Sequence, residues 1–195
     1  MDAVLLILAT AFALIFIAVA VFVAYNLMVK KPVENILMEL AGELRLNYYP
    51  SVEGKPPFAT GTYSGRGLTL DLLNEKGYVD RWHPHSRIVV SFDKNIKETY
   101  IVARRGRFYS RKLGEVRVAN PEFESRYVFL SSSPKKAETL MTAEIASWVV
   151  AFDMPFIMSD GHIVFHQDKQ FENKVRVKRI IDALVYVANV AEKIR

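Results

Sequence analysis

Four histidines are the side chains of this sequence best suited to bind a metal ion, and they occur as two close pairs. His83 and His85 lie in the segment WHPH, and His162 and His166 follow an Asp-Gly dipeptide. On a strand, residues two apart point the same way at about 6.6 Å, whereas residues four apart are separated by about 13 Å, too far to share one zinc ion. A third ligand for His83 and His85 would have to come from Asp80, His162 or elsewhere. Because two ligands do not make a metal site, WHPH is interpreted as an exposed loop that joins two strands and binds no metal.

The sequence lacks the usual motifs for nucleophilic catalysis and for phosphate binding. The chain has no cysteine and no G-x-S-x-G sequence, and Ile163 stands where an H-E-x-x-H zinc motif needs glutamate. The glycines within residues 61–67 lack the lysine and hydroxyl residue of a phosphate-binding loop, and they are interpreted as turn residues. Glu122 and Glu124 are interpreted as solvated residues at the entry to a strand. The sequence therefore argues against an enzyme and predicts no cofactor.

A basic run, RRGRFYSRK, contains five cations and two aromatic side chains within residues 104–112. Such a loop suits contact with phosphates or a lipid surface, and Trp82 is a further aromatic anchor for a partner or an interface. The predicted contact residues are Trp82, Arg104, Arg105, Arg107, Phe108, Tyr109, Arg111 and Lys112. The alternatives are a solvated face, contact with anionic lipid or an acidic protein, and nucleic acid. Nucleic acid is the least favoured, because 20 acidic residues (21 less Asp2) offset the 26 basic ones.

A second basic cluster falls at the start of the predicted last helix, where cations are electrostatically unfavourable. The cluster consists of Lys174, Arg176, Lys178 and Arg179. A compensating acid is expected nearby, and Asp168, Glu172 or a partner could supply it.

The N-terminal segment predicts a transmembrane helix. Residues 3–29 carry no charge, and at about 1.5 Å per residue they would span about 40 Å, more than the hydrocarbon core of about 30 Å. A signal peptide is disfavoured because a basic n-region is missing. Lys30 and Lys31 follow at once, so the positive-inside rule predicts a single-pass protein of the cell membrane with a cytoplasmic domain. The predicted organisation is an anchor at 1–31 and a cytoplasmic α+β domain at 32–195.

The pattern of residues 32–195 predicts an antiparallel β-meander with packed helices. The expected elements are an amphipathic helix over 32–46, a hairpin turning at 64–67, strands at 87–92, 99–105, 116–119 and 126–130, helices at 134–140 and 142–152, a hairpin over 156–166 and a last helix from Asn173. In the second hairpin, the Asp160-Gly161 turn sets the register. One face should then hold Phe156, Met158, Ile163 and Phe165 in the core. The other face should hold Ile157, His162, Val164 and His166.

Two blocks of sequence together resemble a known group of proteins. They are FATGTYSGRGLTLDLL and EFESRYVFLSSSPKKAETLMTAEIASWVVAFDMPFIMSDGHIVFH. Their order resembles a loose group of prokaryotic single-pass membrane-anchored proteins with a soluble α+β domain and no known function. The matched positions are turn glycines, helix caps and core residues, so the resemblance implies a fold and transfers no catalytic residue. WHPH lies outside both blocks.

These observations favour a membrane-tethered, non-enzymatic binding or scaffolding module, such as a subunit of a membrane protein assembly. The expected partners are the membrane itself, a protein or a second copy of the chain, and anionic lipid headgroups. The alternative is a small-ligand-binding or hydrolytic domain that uses the loops around His83, His85 and His162.

Overall fold

In the computed structural model of the protein, the described residues are 2–25, 31–52, 55–76, 82–92, 96–106, 113–168 and 171–194, and side chains are described in all of them except 2–10, 25, 31–33, 74–76 and 82–84. The helices are α1 (Asp2–Tyr25), α2 (Lys31–Leu44), α3 (Pro121–Arg126), α4 (Pro134–Leu140), α5 (Ala143–Phe152) and α6 (Lys174–Lys193). The strands are β1 (Asn47–Tyr49), β2 (Phe58–Tyr63), β3 (Arg66–Lys76), β4 (Trp82–Ser91), β5 (Tyr100–Arg104), β6 (Gly114–Val116), β7 (Tyr127–Ser131), β8 (Phe156–Ser159) and β9 (His162–Gln167).

The strands of the described part form one nine-stranded antiparallel sheet in the order β1-β2-β3-β4-β9-β8-β5-β7-β6. The α+β class with an antiparallel sheet is therefore confirmed. The predicted meander holds for β1 to β4, and beyond β4 the order departs from chain order because the β8–β9 hairpin inserts between β4 and β5.

The predicted transmembrane anchor is not supported. Across the described residues, no helix combines the length and the apolarity that a membrane crossing requires. The finding contradicts the transmembrane part of the predicted fold, and with it the single-pass topology and the cell-membrane localisation.

The hydrophobic core lies on one face of the sheet, called here the covered face. Strands β3 and β4 bury every second residue on this face, including Leu68, Leu70, Ile88 and Val90. Helices α2 to α6 add apolar residues to the same cluster. The predicted amphipathic stripe of α2 is confirmed, because Leu37 is buried in this cluster together with the leucines one and two turns further along.

The β8–β9 hairpin has the predicted register. Asp160 and Gly161 form its turn with φ values of 48° and 77°, the left-handed region that a two-residue hairpin turn requires. Phe156 pairs with Phe165 and Met158 with Ile163, and all four side chains are buried on the covered face. The alternate residues of both strands therefore lie on the opposite face.

Helices α4, α5 and α6 also begin at the residues that the sequence predicts. The Thr142 hydroxyl accepts a hydrogen bond from the Ile145 amide at 3.2 Å, and Asn173 accepts one from the Arg176 amide at 3.0 Å. These bonds satisfy amide groups that have no partner inside the first turn of α5 or α6. Pro134 opens α4 after Ser133, as expected.

Two local predictions were wrong. Glu122 and Glu124 belong to the short helix α3 rather than to a strand entry, because Asn120 caps the Phe123 amide at 3.0 Å and Pro121 fits the first turn. WHPH is not a loop, because Trp82–Ser91 is strand β4 and continues its pairing with β3 as far as Trp82 opposite Lys76. Proline is tolerated at Pro84 because β9 ends opposite Ser86, so this part of β4 lies outside the β4–β9 ladder.

Candidate functional site

The face of the sheet opposite the core, called here the open face, carries a continuous row of aliphatic side chains. Register places Val89 opposite Val164, Val164 opposite Ile157, Ile157 opposite Ile101, and Ile101 opposite Leu130. These five residues, called here the apolar row, come from five adjacent strands. None of them belongs to the hydrophobic core cluster.

The apolar row is partly accessible to solvent. Ile157, in its middle, is 43% exposed, whereas Leu130 at one end is 6% exposed. Adjacent strands are about 4.8 Å apart, so the row is about 19 Å long from Val89 to Leu130. Beyond Val89 the row becomes polar, where the hydroxyls of Thr69 and Thr60 are 3.0 Å apart.

Polar groups border the apolar row on both sides, and Arg87 adds a cation on one side. On β9, His162 and His166 are two residues either side of Val164, and both are exposed. His166 pairs with Arg87, and His162 pairs with Ser91. The Nε of Arg87 donates to Asp71 Oδ2 at 2.8 Å, but the Arg87 side chain is 37% exposed and that of Asp71 only 11%. This pair therefore presents its cation to solvent and keeps its anion underneath.

The described histidines share the open face but do not converge on one site. His85 lies six residues from Ser91 along β4, about 20 Å, and Ser91 is opposite His162. The Nδ1 atom of His85 is 3.8 Å from Asp168 Oδ1. Among the described residues, no group of three or more His, Cys, Asp or Glu side chains is arranged to hold a metal ion. One small substrate could not reach both His85 and His162, as the alternative hydrolytic or ligand-binding function requires.

The predicted contact residues fall into two groups. Arg107, Phe108, Tyr109, Arg111 and Lys112 lie outside the described residues, as do the side chains of Trp82 and His83. Arg104 and Arg105 are described, and each contacts acidic residues of the domain. The Nε of Arg104 donates to Asp153 Oδ1 at 3.2 Å. The Nε of Arg105 donates to the Glu124 carbonyl at 2.9 Å, and its guanidinium is 3.5 Å from the carboxylates of Glu115 and Glu124.

Asp153 joins three elements at the end of α5. It has a φ of 49° and caps the helix, while its carboxylate accepts hydrogen bonds from Arg104 of β5 and from the buried hydroxyl of Tyr127 of β7. Burial raises the pKa of Asp153, but these two hydrogen bonds outweigh it and leave the pKa below its ordinary value. Burial, followed by the hydrogen bond to Asp153, raises the pKa of Tyr127 to about 12. Arg104 is thus ion-paired within the domain, and its predicted role as a contact residue stays a prediction.

In the second basic cluster, Lys174 is compensated by acids of helix α2 rather than by the acids that precede it in the sequence. Lys174 Nζ is 3.1 Å from Glu39 Oε2 and 2.8 Å from Glu43 Oε1, both on α2. Arg176 donates to the carbonyl of Phe152 at 2.9 Å. The expected partners Asp168 and Glu172 were wrong for Lys174, because sequence proximity does not show which helix packs beside α6.

The apolar row was not recognised from the sequence as a site. The alternation in HIVFH and FIMS indicates that Val164 and Ile157 share the face opposite the core. Nothing in the sequence shows that β5 pairs with β8 and β4 with β9, and those pairings bring Ile101 and Val89 beside them. The alternation of apolar and polar residues can be seen within each strand of the sequence, but the apolar row forms only when the strands pair in the sheet.

The comparisons with known proteins give a likeness of fold. No protein-family model matches the chain, and no curated protein sequence matches it. Among solved structures, the crystal structure of the mycobacterial trehalose monomycolate transport factor A, TtfA, matches with a TM-score of 0.62 and 8% sequence identity. The match covers 81% of this chain and 93% of that one. At this identity it describes the shared fold alone, and the resemblance to a group of prokaryotic proteins stays a prediction.

Proposed function

We propose that this protein is a non-enzymatic accessory module that binds a protein partner through the open face of its sheet. The observation that carries the proposal is the apolar row, whose central residue Ile157 is 43% exposed although its neighbours on adjacent strands are aliphatic. Of the other four residues in the row, Val89, Ile101 and Val164 are half-buried and Leu130 is buried. Accessible apolar surface with a polar rim is typical of interaction sites.

The fold likeness supports an accessory role. The neighbour of known structure is named a transport factor, and the fold shared with it covers 81% of this chain. The positions of the histidines on the open face agree with binding rather than catalysis, because His85 and His162 lie too far apart for one reaction centre. Small-molecule sites are concave and enclose most of their ligand, whereas a row across a sheet surface suits a protein.

The test compares three forms of the full chain, each affinity-tagged and expressed in its own cells. They are the wild type, Ile157→Lys, and a matched control, Val175→Lys, which places the same charge at an exposed apolar residue of α6 (58% exposed). We expect one partner in stoichiometric amount with the wild type and with Val175→Lys, and its loss with Ile157→Lys. Because α1 exposes apolar side chains in all three forms, non-specific adsorption affects them equally.

Two results would contradict the proposal. One is a partner that is retained equally by Ile157→Lys and the wild type, which would place the binding surface elsewhere. The other is a partner lost with Val175→Lys but retained with Ile157→Lys, which would move the surface to α6. Circular dichroism of each form confirms that the fold is intact, as expected for substitutions at exposed positions.

A further inference from the structure

We infer that the free edge of β1 accepts an extended segment of the partner protein as an additional strand, and that an aromatic side chain of this segment stacks on Tyr49. This inference rests on the proposed function, because it gives the same partner a second contact beside the open face. The evidence is the unpaired backbone of β1, the aromatic pair on its open side and the contrast with the opposite edge of the sheet.

The backbone of β1 is paired on one side only. Strand β1 is the terminal strand of the sheet, and its residues pair with β2 alone. Among the described residues, no other backbone group bonds to residues 47–49. Alternate residues of an edge strand point their N–H and C=O groups away from the neighbouring strand, so at least one residue of β1 offers both groups to a further strand. Pairing of such groups with an extended peptide is the basis of strand addition.

An aromatic pair stands on the open side of this edge. Ala59, opposite Tyr48, is buried in the core, so the next pair along the two strands, Tyr49 and Phe58, lies on the open face. Their ring centroids are 4.6 Å apart and their planes differ by 11°. Because adjacent strands are about 4.8 Å apart, this stack runs across the strands with Tyr49, 44% exposed, as its outer ring. A strand added beside β1 would place the side chain opposite Tyr49 at the next step of the stack, where an aromatic ring fits.

The opposite edge of the sheet is protected against strand addition. Its terminal strand, β6, carries the exposed carboxylate of Glu115. Gly114 lies so close to α4 that an added Cβ atom would be 3.1 Å from Pro134 Cγ. Edge charges and covering helices are two of the devices by which proteins block pairing at an edge. Strand β1 carries no charge, since its sequence is Asn-Tyr-Tyr, and it exposes an aromatic ring instead.

A second copy of the chain fits this edge less well than a segment of another protein. Two β1 strands related by a twofold axis pair antiparallel, and the register that uses all three residues is centred on Tyr48. Tyr49 would then face Asn47 of the second copy, and the aromatic stack would end there. A register centred on Tyr49 would bring Pro50 opposite Tyr48, and proline has no N–H group for a ladder.

Disulfide trapping of short peptides tests the inference on the full chain. The chain contains no cysteine, so Asn47→Cys provides a single thiol on the open side of β1, two residues from Tyr49. The probe is a peptide of about six residues in which phenylalanine precedes cysteine by two positions, added as its mixed disulfide with 2-mercaptoethanol. If it pairs antiparallel with β1 and its phenylalanine lies opposite Tyr49, its cysteine lies opposite residue 47. Cα atoms opposite each other are then about 4.5–5.5 Å apart, within the range that a disulfide spans.

Mass spectrometry measures the fraction of the chain that keeps each peptide as free 2-mercaptoethanol is increased. We expect the phenylalanine peptide to resist about 3- to 10-fold more 2-mercaptoethanol than the same peptide with threonine, the advantage of one aromatic pair. Methylation of one alternate set of peptide amides should remove this advantage and methylation of the other set should not, because only one set faces β1. The matched control Val175→Cys, on α6, should show no preference between the peptides. Equal retention of the two peptides at residue 47, equal effects of the two methylated sets, or the same preference at residue 175 would overturn the inference.

Two variants separate this inference from the proposed function. In affinity isolation from cells, Tyr49→Ser should reduce the amount of partner about 3- to 10-fold, whereas Ile157→Lys should remove the partner. Loss with Ile157→Lys but full retention with Tyr49→Ser overturns the inference alone. Full retention with Ile157→Lys overturns the proposed function. A dimer that Tyr49→Ser dissociates in analytical ultracentrifugation would replace the partner segment with a second copy.

Discussion

The two faces of the sheet are built from alternate residues of the same strands, yet they differ in almost every physical respect. On β9, Ile163 and Phe165 are buried beneath helices, while His162 and His166 are exposed on the open face. The covered face is an aliphatic and aromatic core that stabilises the fold. The open face combines an apolar row with histidines, hydroxyls and one exposed arginine, a composition that contributes little to the core. The difference teaches that the fold is stabilised from one side of the sheet while the proposed binding surface lies on the other, so that each can be perturbed without the other.

The largest expected effect is at the covered face. Phe165→Ala should lower the free energy of unfolding by about 3–5 kcal/mol, because the side chain is 1% exposed and its removal leaves a cavity. His166→Ala, the next residue on the open face, should change it by less than about 0.5 kcal/mol. Urea denaturation of both variants measures the difference. Similar losses in the two variants would show that the faces are not distinct.

A smaller effect is expected where α5 meets the sheet. Tyr127→Phe removes a buried hydroxyl that donates to Asp153, and it should lower the free energy of unfolding by about 1–2 kcal/mol. The matched control Tyr186→Phe removes an exposed hydroxyl that donates to Glu144 at 2.9 Å, and its effect should be much smaller. Because the folded pKa of Tyr127 is raised to about 12, the wild type should lose stability as pH rises from about 10 towards that value. In Tyr127→Phe this contribution should be missing, and an unchanged alkaline profile would contradict the assignment.

Asp153 gives a pH effect of the opposite sign. Its folded pKa lies below the ordinary value of about 3.9, so its contribution is present above that pH and is lost as pH falls through the folded pKa. Asp153→Asn keeps a residue that tolerates the left-handed backbone, with its φ of 49°. Denaturation between about pH 6 and pH 2.5 should show a shallower acid loss in this variant than in the wild type. Parallel curves would mean that Asp153 is not coupled to Arg104 and Tyr127.

The smallest expected effect is at the apolar row. Ile157→Thr should change the free energy of unfolding by less than about 0.5 kcal/mol, because threonine suits an exposed strand position. The same substitution at Ile163, which is fully buried on the adjacent strand, introduces a hydroxyl into the core and should cost several kcal/mol. Thermal unfolding of the two variants compares the two faces of the sheet with the same isoleucine-to-threonine substitution. A large loss at Ile157 would mean that the open face is part of the core.

Local patterns in the sequence predicted those parts of the fold that depend on short-range physics. The cap at Thr142, the Asp160-Gly161 turn and the stripe of α2 each act within a few residues, and all three were confirmed. Helix α3 was missed although Asn120-Pro121 is a helix-start signal, because the following strand pattern dominated the interpretation. The transmembrane prediction rested on apolar length alone, and the described residues do not support it.

The candidate site could not be predicted because it depends on pairings between distant strands. Val89 and Val164 are 75 residues apart in sequence (164 minus 89), and only the β4–β9 ladder brings them together. The basic run drew attention because charge is visible in sequence, yet Arg104 and Arg105 both bond to groups of the domain itself. An arginine's availability depends on which acids the fold brings near it, and that information is not local.

Site-specific photocrosslinking tests the central claim most directly. A photoreactive amino acid is placed in the full chain at residue 157 on the open face, at residue 175 on α6 or at residue 38 on α2, all of which are at least 43% exposed. After irradiation of the cells that express each form, covalent adducts are resolved by electrophoresis and identified by mass spectrometry. The account predicts a discrete protein adduct at residue 157 and none at residues 38 and 175. A discrete adduct at residue 38 or 175 with none at residue 157, or the same adducts at all three positions, would contradict the assignment of binding to the open face.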